Sequence, residues 1–258
     1  MTGTNYIYLC EDSIEGIFTA IYQAWASKHG HKNNRIQIDK GLNYELFCEY
    51  IRVEPDEDLA MKVTKSIRKQ LGSEVYEAVY STAMSDHEGK EDVLYRFLII
   101  AFHVGPSVID MLSEESVGTV MKVRQRVWYE KHHFLGFLRF EELENTILCS
   151  RIRPKCNILT LVAPHFTDRL QNENFIIIDE GRQIAVVHPA NKNWFLMDAA
   201  LLDEEYLSKV SEKEELMKQS FATFVESISI KPRENKKLQR NMCPLRFREF
   251  MPEFQSKG

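Results

Sequence analysis

Ile14, Ile17, Phe18, Ile21, Tyr22 and Trp25 recur three and four residues apart, the spacing that lines up side chains on one face of an α-helix, and they predict a buried helix. Asp12 and Ser13 stand before it as capping residues, with Glu15 three positions after Asp12. Tyr6 to Leu9 reads as a short strand leading into that helix. Arg35 to Val53 mixes alternating and β-branched residues around Lys40-Gly41, a pattern of a hairpin or an irregular extended stretch. Pro55 and Asp56 open a helix with Leu59, Val63, Ile67 and Leu71 inward and Gly72 as its stop. Helices over Glu74 to Met84 and Glu91 to His103 follow.

After the break at Gly105-Pro106, Ser113 and Ser116 offer caps for a long helix from about Glu115 to His133 with a basic polar face. The period then changes. Strands are predicted over Phe137 to Leu143, Thr146 to Ile152, Phe175 to Asp179, Ile184 to His188 and Trp194 to Met197, with turns at Glu144-Asn145, Glu180-Gly181 and Ala190-Asn191. A helix over Ile158 to Asn172 separates the second and third strands, and another runs from Asp203 to Val225. The expected class is α+β: a helical N-terminal part over 1–125, an antiparallel sheet of about five strands with covering helices over 126–230, and a basic, aromatic C-terminal segment, 231–258, docked on the fold.

Composition narrows this picture without changing it. With 258 residues, 44% hydrophobic and 28% charged, the chain is globular and long enough to bury a core without disulfides. Its longest apolar stretch, Phe97 to Ile109, carries His103, Gly105 and Pro106 and is shorter than the ~20 residues that cross a bilayer. No basic segment followed by an apolar one opens the chain, and the five cysteines are scattered without a CxxC pair. A reducing cytoplasm is therefore expected, and neither a membrane, a metal nor a cofactor is.

The charge distribution is more informative than its sum. Lys and Arg number 33 against 38 Asp and Glu, but they outnumber the acids nine to five over residues 121–171 and eight to three over 231–258. Folding that joins these blocks would make a basic face on an acidic protein. The residues expected to hold phosphates are Arg124, Arg126, Arg139, Arg151, Arg153, Arg169, Arg240, Arg246 and Arg248. In the tail, KPRENKKLQRNMCPLRFREFMPEF, the apolar residues are expected to pack back while the last three of these arginines face outward.

Catalytic signatures are scarce. The chain has no P-loop, GxGxxG, GxSxG, HExxH or zinc-deaminase motif, and no CxxxCxxC to hold a radical-chemistry iron–sulfur cluster. Three histidines remain as proton-transfer candidates: His132 and His133 in EKHHFLGFLRF, and His165 in PHFTDR. A helical turn separates His165 from Arg169, so both could meet one phosphate or carboxylate, with Asp168 beside them. Each histidine has a purely structural reading as well. Asp179 and Arg182 are expected to pin the Gly181 turn, and Glu141, Glu142 and Glu144 to be solvated rather than an acid–base pair.

The segments YIYLCEDSIEGIFTAIYQAW, HHFLGFLRF, APHFTDRL, FIIIDEGR and LQRNMCPLRFREF together resemble one bacterial family, the domain-of-unknown-function family numbered 4130, from about Tyr6 to Phe254. The resemblance implies a setting in DNA metabolism and DNA repair and a partner radical S-adenosylmethionine protein. Some relatives are fused to a uracil-DNA glycosylase-like domain, so base excision is expected from another polypeptide. It supplies no catalytic residues. The leading expectation is an accessory protein that binds single-stranded or damaged DNA beside that partner. A motif-less enzyme acting on a nucleotide or modified base through the histidines, and a purely protein-binding scaffold, are the alternatives.

Overall fold

The computed structural model describes residues 5–41, 45–228, 230, 232, 235–251 and 254. Lys231, Arg233 and the chain after 254 lie outside the described residues, so the expectation for the C-terminal segment is answered only for 232, 235–251 and 254. The chain is α+β and divides into two compact units, Met1–Trp128 and Tyr129–Gly258.

In the first unit β1 (Asn5–Cys10) is the centre of a three-stranded sheet. Helix α1 (Ile14–Ala26) starts where Ser13 Oγ accepts the Gly16 amide at 3.0 Å, a side-chain cap for an otherwise unpaired N–H. It buries Ile17, Phe18 and Ile21, and leaves Tyr22 and Trp25 at its margin. Gly16 is required by proximity, because a Cβ there would lie 2.6 Å from the Glu11 carbonyl oxygen. The extended segment after α1 holds two strands, but no hairpin. β2 (Asn34–Ile38) and β3 (Cys48–Arg52) lie on opposite sides of β1, and both run parallel to it. Alternation identified the strands; it carries no information about which neighbour completes the backbone ladder. Helix α2 (Glu57–Ala83) packs on α1 and on α3 (Lys90–Val104), α3 packs on β2, and α2 bends at Gly72, whose φ of 87° suits glycine. The N-terminal part is thus mostly helical, as expected, and its strands form a small parallel sheet.

Helix α4 (Glu115–Phe137) runs four residues beyond its expected end. The strand predicted from Phe137 shrinks accordingly to β4 (Glu141–Glu142). The second unit is built on the sheet order β4-β5-β6-β7-β8, with β5 Leu148–Ile152, β6 Phe175–Asp179, β7 Ile184–His188 and β8 Phe195–Asp198. All pairs are antiparallel except β5 and β6, which helix α5 (Leu159–Arg169) connects as a parallel crossover. Every residue of β6 is buried. The helix expected from Asp203 to Val225 is two, α6 (Glu204–Leu207) and α7 (Glu212–Ile228). Between them the backbone of Ser211 donates to Glu142 O and Val210 bridges to Leu143, so sheet pairing replaces a helical turn. A short helix α8 (Lys236–Met242) follows. No helix among the described residues is long and apolar enough to cross a membrane.

Candidate functional site

The two basic blocks meet within the second unit, around a buried carboxylate. Glu130, on α4, has a side chain only 4% exposed and accepts the backbone amides of Lys155 (3.1 Å) and Cys156 (2.9 Å), just beyond the end of β5. Its third partner is Arg246 from the tail, at 2.9 Å. Phe247 beside it is buried against His133, Phe134 and Phe137, and Met251 is buried as well. The tail is held by apolar anchors together with an ion pair between the buried Glu130 carboxylate and the partly exposed Arg246, in which the buried ion is the one that needs its partners.

Four other arginines of this region also bond to the chain, two to carboxylates and two to backbone carbonyls. Arg151 bonds Glu180 and Glu204; burial lowers its guanidinium pKa, but those two bonds outweigh burial and hold it above the ordinary arginine value. Arg153 bonds Glu249 and lies 5.7 Å from the Phe250 ring centroid. Arg248 donates to the backbone oxygens of Cys243 and Gln239, and Arg139 to those of Gly136 and Leu138. The outward-facing row expected of Arg240, Arg246 and Arg248 is therefore not formed: two of the three turn back onto the chain. In the first unit Arg124 faces Glu74 and Glu77, and Arg126 pairs with Asp86 at 2.6 Å. Of the nine arginines, Arg169 and Arg240 are exposed with no ion pair among the described residues.

The three histidines do not assemble one centre. His133 Nδ1 lies 2.6 Å from the Tyr129 carbonyl oxygen, and its ring stacks on Phe247. His132 is exposed on the same helix, and His165 is exposed on α5 with its ring edge-on to Phe166. Asp179 pins its turn: its fully buried carboxylate accepts the Gly181 and Arg182 amides and pairs with the Arg182 guanidinium at 3.0 Å. Among the described residues no group of three or more His, Cys, Asp or Glu is placed to hold a metal ion.

One histidine escaped the sequence reading. His188, last residue of β7, is 1% exposed and lines a polar recess. The available signal was a histidine ending an apolar strand, directly before Pro189 and the Asn-Lys-Asn turn.

The sequence model of the family DUF4130, domain of unknown function, matches residues 88–253, and the chain belongs to that family. No curated protein matches it. Among solved structures, one described as the DHH domain of a member of a family of ribosomal proteins aligns with 73% of this chain and 74% of that chain, at 10% identity and a TM-score of 0.32.

Proposed function

We propose that the chain is a cytoplasmic accessory protein of DNA metabolism and repair that binds nucleic acid and acts with a radical S-adenosylmethionine enzyme, chiefly by holding that enzyme through protein contacts. The observation that carries this reading is on α7. Met217, Phe221, Phe224 and Ile228 are 59%, 48%, 56% and 58% exposed. Spacings of four, three and four residues set them along one helix face. Large apolar side chains gathered on an exposed face mark a protein–protein surface more than a soluble exterior. The arginines paired with carboxylates, Arg124, Arg126, Arg151, Arg153 and Arg246, argue in the same direction, since such a guanidinium must exchange its partner for phosphate. Among the nine arginines, nucleic acid is then met through Arg169 and Arg240, the two that are exposed with no ion pair among the described residues.

The test is capture of the purified radical enzyme by the purified chain, with and without Phe221→Glu and Phe224→Glu together. The reading expects binding by the parent and at least a tenfold loss in the variant, with unchanged thermal unfolding. Absence of binding by the parent, or equal binding by the variant, removes it.

A further inference from the structure

His188 is held so that one ring nitrogen is committed and the other is not. Its Nδ1 lies 3.0 Å from the Glu173 carbonyl oxygen. A carbonyl can only accept, so Nδ1 carries the hydrogen, and in the neutral ring Nε2 presents a lone pair. One ring face is stacked on Phe175, with centroids 4.6 Å apart and planes 18° apart. Nε2 is buried and has no partner among the described residues, and the same holds for the hydroxyl of Thr167. Buried polar atoms are ordinarily hydrogen-bonded, so two in one place are informative.

Both residues line a recess of about 560 Å³, within the size range of small-molecule sites. Thr167, Asp168 and Gln171, from α5 and its continuation, form one wall, and Asn191, Lys192 and Asn193 form the other. The walls are tied together. The Asn191 amide donates to Gln171 O at 2.7 Å, the Ala190 amide to Asn174 Oδ1 at 2.9 Å, and Asn191 adopts the left-handed conformation, φ 60°. The end of α5 and two turns thus form the recess, and backbone and side-chain hydrogen bonds tie the turns to each other.

Its chemistry is specific. The in-plane lone pair of Nε2 and the Asp168 carboxylate accept hydrogen bonds, the Asn and Gln amides and the Thr167 hydroxyl both give and accept, and Lys192 adds one cation at the rim. A purely aliphatic ligand would leave all of these unpaired. A ring that alternates N–H donors with carbonyl or ring-nitrogen acceptors along its edge matches them. We infer that this recess binds the base edge of a nucleotide, with Nε2 of His188 accepting from a base N–H and Lys192 near the phosphate. No residue of α7 lines the recess, so nucleotide binding and capture of the partner enzyme are tested by different substitutions and fail or succeed separately.

The test is an NMR titration of the full chain, reading the imidazole ¹⁵N resonances, with the 5′-monophosphates of uridine, cytidine, adenosine and guanosine added singly. Ribose 5-phosphate and inorganic phosphate are the controls. The free protein should show His188 as the Nδ1–H tautomer, and at least one nucleotide should move its Nε2 resonance saturably below about 1 mM. His188→Asn keeps a donor for Glu173 O and deletes Nε2, so it should weaken that nucleotide about tenfold, the scale of one hydrogen bond. If His188→Asn fails to fold, Thr167→Val carries the same expectation. An Nε2–H tautomer, no response to any nucleotide, an equal response to ribose 5-phosphate or phosphate alone, or unchanged affinity in the folded variants would each overturn the inference.

Discussion

Around Glu130, in the second unit, each oxygen of a buried carboxylate meets a backbone amide, and a guanidinium closes the group. Around His188, in the same unit, an imidazole nitrogen and a hydroxyl are equally buried but have no partner among the described residues. The first region is organised by charges that draw attention in the sequence; in the second the unpaired groups are neutral, with Asp168 and Lys192 at its lining. Density of charge marks where the chain is fastened; an unpaired polar atom in a built recess marks where something else can bind.

Breaking the first region should cost most. Glu130→Ala leaves two buried amides and Arg246 without their acceptor, and a loss of about 3 kcal/mol in urea unfolding is expected. A loss below about 1 kcal/mol would mean that the tail and the segment after β5 do not depend on this carboxylate. The buried thiols sharpen the picture through pH. Burial pushes Cys10 from the usual 9.0 up to about 12 and Cys149 up to about 11. A group whose folded pKa is raised adds stability that is complete below its unfolded pKa and disappears as pH rises through the folded one. Stability should therefore decline from about pH 9 towards pH 12, and Cys149→Ala should flatten the earlier part of that decline; a curve unchanged in the variant would refute this cause.

Smaller effects separate the two regions more finely. Arg246, 44% exposed at its side chain, should cost about 1 kcal/mol as Arg246→Gln, with faster proteolysis of the tail as the direct readout. Thr167→Val should change stability by less than about 0.5 kcal/mol, because the hydroxyl it removes has no partner to lose. A Thr167→Val loss as large as that of Arg246→Gln would dissolve the contrast.

Much of the scaffold was readable because its signals are local. The three- and four-residue spacing of Ile17, Phe18 and Ile21 located α1, and the Glu180-Gly181 turn between two apolar runs located β6 and β7 at their observed bounds. Long-range choices were not readable. β2 and β3 look like a hairpin until β1 is seen between them, and nothing near β5 in the chain says that β6 will lie parallel to it. The arginines were legible as cations and illegible as partners, because Glu130 lies 116 residues from Arg246 and Glu249 96 from Arg153. His188 shows the opposite failure: at the end of a strand it looks like filler, and only folding places Thr167 beside the same recess.

Whether engaged arginines are withdrawn from phosphate is read from the salt dependence of DNA binding. Affinity for a short single-stranded DNA should be followed against salt for the parent, for Arg153→Gln with Arg246→Gln, and for Arg169→Gln with Arg240→Gln. Each phosphate contact contributes a log–log slope of about −0.7. The first pair should keep the parent's slope and the second should have a slope shallower by about 1.4; an equal reduction in the first pair, or no binding by the parent even at low salt, would refute the withdrawal.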